Sequence, residues 1–255
     1  MRSRRELRVG PDTVLLWDAD GNLFPSEGPA FEACTVVTNQ LLEWLGSEER
    51  WSSDALRSRS MGKTFRSLAI ELSERIGAPL RDEELDGWVA EENRIVMDHL
   101  GRTLRPDVDV LDAVRRLAGS YRMAVVSSSK LNRLAVCFTA TGLDPYFPVG
   151  ARFSAQDSLP RPTSKPDPAV YLHSIRETGA DPGLAVALED AVAGVASAVA
   201  AGLQTIGNLV FVPDEERTAR GEALLAAGAS VVITDWSDLD GLLPSFAQAS
   251  MSVST

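Results

Sequence analysis

The stretch "VLLWDADGNLF", residues 14 to 24, opens as an apolar run and ends in two carboxylates one residue apart, Asp18 and Asp20. Burying two acids so close together costs several kcal/mol unless positive charge offsets them. The run itself reads as a strand, so the pair sits where a strand ends. What the two acids do, and what charge answers them, has to come from the rest of the chain.

Short apolar runs of the same kind recur: "TVLLWD" (13–18), "RMAVVSSS" (122–129), "LAVALED" (184–190), "LQTIGNLVFV" (203–212) and "SVVITD" (230–235). Runs this short and rich in Val, Leu and Ile fit strands covered on both faces, as in a parallel sheet with crossover helices. Helical patterns such as "DVDVLDAVRRLAG" and "EERTARGEALLAAG" lie between them and end at Gly. The expected fold class is α/β, a doubly wound, Rossmann-like parallel sheet.

One segment breaks the rhythm. From about residue 27 to 100 only amphipathic stretches occur: "PAFEACTVVTNQLLEWLG", "KTFRSLAIELSERIG" and "DEELDGWVAEENRIVMDHLG". This predicts an all-helical insert at 27–101, a cap standing over the carboxyl ends of the strands, within a core made of 1–26 and 102–255. "GRTLRPDVD", with Pro106, is the return hinge, and Trp44, Trp51 and Trp88 read as packing inside the insert.

The net charge of -11 argues against nucleic acid or an anionic membrane as partner. Two distant cysteines, Cys34 and Cys137, fit a reducing cytoplasm better than a disulfide framework or a zinc site. The start, "MRSRRELRVG", reads as a short basic tail and the end, "AQASMSVST", as a frayed one. No apolar stretch approaches the ~20 residues of a membrane span.

In an open parallel sheet ligands bind outside the carboxyl ends of the strands. The first strand ends in Asp18 and Asp20, the second in Ser127, Ser128, Ser129 and Lys130, and a later one in Glu189 and Asp190, while Lys165 lies in the loop "SKPDP". Four carboxylates at one mouth call for a divalent cation, and an all-oxygen ligand set suits Mg²⁺. A carboxylate beside a metal is able to attack phosphorus, and a second acid two residues on is able to move the proton. Taken singly, each group has a plainer reading as a helix cap, a turn or a solvated loop lysine. The helix after Asp190 reads as core, with Val192, Val195 and Val199 on one packed face and Ala193, Gly194, Ala196 and Ala198 keeping it thin enough to pack closely on the sheet; His99 and His173 read as structural or surface residues.

This ordered set resembles the haloacid dehalogenase superfamily of hydrolases. "DADGN" is similar to its first motif, "VVSSSK" to its second, "SKPDP" to its third and "LEDAVAGVASAVAAG" to its fourth. The fourth resembles the branch that contains β-phosphoglucomutase and small sugar-phosphate phosphatases. The resemblance implies Asp18 as nucleophile and Asp20 as general acid/base, with its backbone carbonyl on Mg²⁺. It implies that Ser127, the backbone around Ser128, and Lys130 hold the phosphoryl group, and that Lys165 bridges nucleophile and phosphate. Asp18, Asp20, Glu189 and Asp190 would form the metal set, and Lys63 would be a substrate contact from the cap.

The mutases of the branch usually carry a His at the position of Ala30, so Ala30 favours a phosphatase over a sugar-phosphate mutase. A non-catalytic regulatory member of the fold is the other alternative. Asn22 stands where Thr or Val is usual, and Ala191 where Ser is usual. The expected protein is a Mg²⁺-dependent phosphatase of a small phosphorylated metabolite, a sugar or polyol phosphate, cytoplasmic and a monomer or homodimer.

Overall fold

The computed structural model describes residues 6–60 and 63–245. The first five residues, the end from 246 onward and Met61–Gly62 lie outside them, and with them the basic start, the terminal tail and part of the turn before Lys63.

Six parallel strands form one sheet: β1 (Val14–Trp17), β2 (Arg122–Ser127), β3 (Arg152–Ser154), β4 (Val186–Glu189), β5 (Gln204–Asn208) and β6 (Val231–Ile233). Their order is β3-β2-β1-β4-β5-β6. β1 is central, with Leu16 opposite Ala124 of β2 and Ala187 of β4. The chain runs outward from β1 to β3, then crosses back to β4, so the order reverses between β1 and β4. In such sheets that reversal opens a crevice at the strands' carboxyl ends.

All four residues of β1 are buried because both faces of the sheet are covered. Val14 and Leu16 pack with Val126, Val170, Ala187 and Ala198. Trp17, on the opposite face, meets the rings of Phe147 at 6.2 Å and Trp236 at 6.0 Å. Full burial of side chains such as Leu15 and Leu16 is worth about 1.5–3 kcal/mol each, so the strand that carries the two acids is firmly anchored.

The chain divides into two compact units: residues 1–25 with 105–255, and residues 26–104. The second unit is helical among its described residues: α1 (Glu27–Trp44), α2 (Ser53–Ser60), α3 (Phe65–Ile76) and α4 (Asp82–Thr103). Its core gathers Leu41, Leu42, Trp51, Leu56, Leu68 and Leu72. Thr64 caps α3 through its side chain, and Gly77 ends it in the left-handed conformation. Trp44 departs from the expected internal packing: it is 52% exposed and touches Trp88 edge to face at 6.2 Å.

The first unit adds α5 (Val108–Ala118), α6 (Leu131–Thr141), α7 (Ala169–Thr178), α8 (Val192–Ala200) and α9 (Asp214–Ala226). Two features differ from the sequence reading. β3 was not among the expected strands; it has three residues and rides on the edge of β2. In α8 the packed face is Gly194, Val195, Ser197 and Ala198, whereas Val192 and Val199 are partly exposed. Of the three valines only Val195 is packed; of the small residues expected to let the helix lie close to the sheet, Gly194 and Ala198 are buried. Among the described residues no helix is long and apolar enough to cross a membrane.

Candidate active site

Asp18 follows the last residue of β1 and Glu189 is the last residue of β4, so the two neighbouring strands deliver their acids to the crevice where the strand order reverses. The Asp18 amide donates to the carbonyl of Leu188 over 2.9 Å, which carries the β1–β4 pairing up to the acid itself. The backbone then turns sharply. Gly21 has φ +77°, and a Cβ there would lie 2.3 Å from Oδ2 of Asp190. Only glycine suits that position, on both conformation and space. Asn22 is fully buried; its side chain donates to the Asp18 carbonyl over 2.8 Å and accepts from Nδ2 of Asn208 over 2.8 Å.

Lys165 reaches the same point from the loop before α7. Its amide donates to Oγ of Ser128 over 3.1 Å. Its buried ammonium donates to Oδ1 of Asp18 at 2.5 Å, Oε1 of Glu189 at 2.6 Å and the carbonyl of Val126 at 2.7 Å. All three of its protons are therefore placed. Tyr171, in the first turn of α7, donates its hydroxyl to the same Oε1 of Glu189.

Charge dominates here. Burial pushes the Asp18 carboxyl well above the usual carboxylate range; the Lys165 ammonium pulls it back, and Glu189 and Asp190 push it further up. Burial works against the Lys165 charge, but the carboxylates of Asp18 and Glu189 outweigh it and hold the amine above its ordinary value. One ammonium faces three buried acids, so the cluster is short of positive charge.

The acids are placed to receive that charge. Asp18, Glu189 and Asp190 each offer a carboxylate oxygen, and these oxygens lie within 4.8 Å of one another. Oε2 of Glu189 is buried without a hydrogen-bond partner. An all-carboxylate set of this kind fits a hard divalent ion such as Mg²⁺. Space is reserved on the other side as well, since a Cβ on Gly194 would lie 1.8 Å from that same Oε2.

Asp20 stands apart from this triplet. Its Oδ2 accepts from the Ser129 hydroxyl at 2.6 Å and its Oδ1 from the Arg133 guanidinium at 3.2 Å. Ser127 is buried, and its Oγ accepts from the Ser129 amide at 3.0 Å, so the turn after β2 is tied to itself and to Asp20. Lys130 is exposed at the N-cap of α6. Lys63 belongs to the helical unit, where its amine meets Glu71 at 2.5 Å.

Arg133, Tyr171, Asn208 and Gly194 escaped the sequence reading as site residues, and Ser129, read at the strand end, was given no role there. Arg133 lies within the first turn of α6, the one place where a signal existed: a cation just past a strand-end serine run. Tyr171 and Asn208 looked like the apolar face of a helix and the middle of a strand run. His99 meets Glu32 at 3.0 Å, and the His173 ring lies against Phe153 at 5.5 Å, so both make structural contacts.

A family model for haloacid dehalogenase-like hydrolases matches residues 13–202. The chain is 28% identical to protein CbbY of Cereibacter sphaeroides over 222 residues, covering 86% of this chain and 93% of that one. It is also 28% identical to hexitol phosphatase B of Escherichia coli K12 over 183 residues, 66% of this chain and 82% of the other. Among solved structures, a haloacid dehalogenase-like protein of Agrobacterium tumefaciens superposes with a TM-score of 0.66 at 28% identity, over 91% of this chain and 97% of that one. With the family match running from the start of β1 to the end of α8 and taking in both strand ends of the crevice, the chain belongs to the haloacid dehalogenase-like hydrolases.

Proposed function

We propose that the protein is a Mg²⁺-dependent phosphatase of small phosphorylated metabolites, a sugar or polyol phosphate, working through a phospho-Asp18 intermediate. The observation that carries this reading is the lysine-bridged nucleophile: Lys165 holds Oδ1 of Asp18 inside a cluster of three buried carboxylates. The name of the hexitol phosphatase relative supports the substrate class. Mg²⁺, held by Asp18, Glu189, Asp190 and the backbone carbonyl of Asp20, would supply the positive charge that lets an anionic phosphoryl group approach.

With Oδ1 fixed by Lys165, Oδ2 of Asp18 attacks phosphorus. The new Asp18–phosphorus bond forms as the ester phosphorus–oxygen bond breaks, and Asp20 gives its proton to the leaving oxygen. Asp20 then takes a proton from water, whose oxygen attacks phosphorus, breaks the Asp18 bond and frees inorganic phosphate. Ser129 and Arg133 set where Asp20 stands. Ser127, the backbone around Ser128, and Lys130 hold the phosphoryl oxygens.

The helical unit, inserted between β1 and β2, serves as the cap, with Lys63 as its substrate contact. Its exposed pair with Glu71 contributes little and is readily exchanged for a substrate group. Ala30, in place of the histidine usual in the mutases, favours release of phosphate over isomerisation. Both cysteines are free thiols, which suits the cytoplasm as the place of action.

The test is phosphate release from a panel of phosphorylated sugars and polyols, with Mg²⁺ and with a chelator. Asp18→Asn should abolish turnover with its circular dichroism unchanged. Turnover retained in that variant, or isomerised product with little free phosphate, would overturn the reading.

A further inference from the structure

We infer that Tyr171 is a positioning residue for the divalent cation, its hydroxyl pinning one oxygen of Glu189 beside Lys165 so that the other is the one presented to the ion. The inference rests on the metal reading above and concerns a residue that reading does not use.

Tyr171 is fully buried in the first turn of α7, among Leu16, Val126 and Ala187 of the sheet. Its ring is held by apolar packing, so its hydroxyl has one place to point. That place is Oε1 of Glu189. The same oxygen already accepts from Lys165 over 2.6 Å, and the Lys165 ammonium lies 5.2 Å from the centre of the Tyr171 ring. Tyr171 thus touches both partners of the pair, the carboxylate with its hydroxyl and the ammonium with its ring face.

A carboxylate with two strong donors on one oxygen cannot rotate freely. Oε1 is committed, and Oε2 is the oxygen without a hydrogen-bond partner. Behind Oε2 stands Gly194, whose missing Cβ leaves the space the oxygen occupies. Phenylalanine at 171 would keep the ring and the packing. It would remove the second donor, leaving Lys165 alone to orient Glu189. Groups that orient a metal ligand commonly change metal affinity by about 10–100-fold when lost.

The experiment uses Mn²⁺ in place of Mg²⁺, with free Mn²⁺ counted by electron paramagnetic resonance. Tyr171→Phe should raise the Mn²⁺ Kd by about tenfold and raise the Mg²⁺ concentration for half-maximal activity in parallel, while kcat at saturating Mg²⁺ stays within about twofold. A purely structural role would instead lower kcat at every Mg²⁺ concentration and leave the Kd unchanged. An unchanged Kd overturns the inference while leaving the metal reading intact; a parent protein that binds no Mn²⁺ overturns both. Fluorotyrosine labelling gives a second readout in the parent sequence, should the variant not fold. The Tyr171 fluorine resonance, assigned with Tyr121→Phe and Tyr146→Phe, should move along the Mg²⁺ titration, and a resonance unmoved at saturation overturns the inference.

Discussion

The side-chain amide of Asn208, at the end of β5, donates to Oδ1 of Asn22 over 2.8 Å, and Asn22 donates in turn to the backbone carbonyl of Asp18. Oδ1 of Asn208 accepts from the Val210 amide at 2.9 Å. A relay of three hydrogen bonds therefore runs from the loop after β5 to the backbone of Asp18, the proposed nucleophile, through two fully buried amides. Asn22 departs from the residue usual in the family, and the structure gives it this work.

The relay predicts a coupling. Asn208→Leu leaves the Asn22 amide oxygen buried without its donor, and Asn22→Val leaves the Asn208 amide nitrogen buried without its side-chain acceptor. Each single change should cost about 1–3 kcal/mol in urea unfolding. The double variant should cost clearly less than the sum, because it leaves neither amide stranded. Additive losses would show that the two side chains do not act as a pair.

A second prediction concerns the helical unit. Arg75 grips Glu49 with two nitrogens, at 2.7 and 3.0 Å, and the Trp51 indole donates to the same carboxylate at 3.0 Å. The Arg75 hydrogen bond, then that of Trp51, lowers the Glu49 carboxyl from an ordinary 4.5 to about 2. A value depressed in the folded state gives stability that is complete above pH 4.5 and fades as pH falls toward 2. In Arg75→Gln a carboxyl-detected NMR titration should find Glu49 shifted back up toward its ordinary value. A midpoint that stays near 2 in the variant would show that Arg75 is not the cause.

Much of the site was legible because a parallel sheet puts polar residues at predictable places. Asp18, Ser127, Glu189 and Asp190 each end or follow an apolar run, and Lys165 sits in a Pro-rich loop between two such runs. Residues that act from inside an apolar pattern were not legible. Tyr171 shares its helix face with Val170 and Ile175, so its ring looks like core, and its hydroxyl gives no sign of a partner 18 residues away. Asn208 falls in a run read as strand to residue 212, although the strand stops at Asn208 itself. β3 is three residues long and includes Arg152, which is buried because its guanidinium meets Asp144 and the Phe147 carbonyl. On α8 the small residues were read as allowing close packing on the sheet, but Val192 and Val199 were placed on the packed face with Val195, because apolar character alone does not fix which way a helix turns. Gly194, Val195 and Ala198 are the apolar and small residues that it buries.

Closeness at α8 yields the last prediction. A methyl group at position 194 would stand 1.8 Å from Oε2 and 2.2 Å from Cδ of Glu189, far inside any allowed contact. α8 cannot retreat cheaply, since Val195 and Ala198 are both fully buried. Glu189 is the more movable partner, but moving it tears its Oε1 from Lys165 and Tyr171. Gly194→Ala should therefore keep its helical circular dichroism and lose on the order of a hundredfold in turnover, the usual scale for an ångström of misplacement in an active site. The loss should come with weaker binding of Mn²⁺, because the displaced carboxylate is one of the three that converge. A variant with parental turnover and parental Mn²⁺ affinity would show that the Glu189 position is not what the crevice depends on.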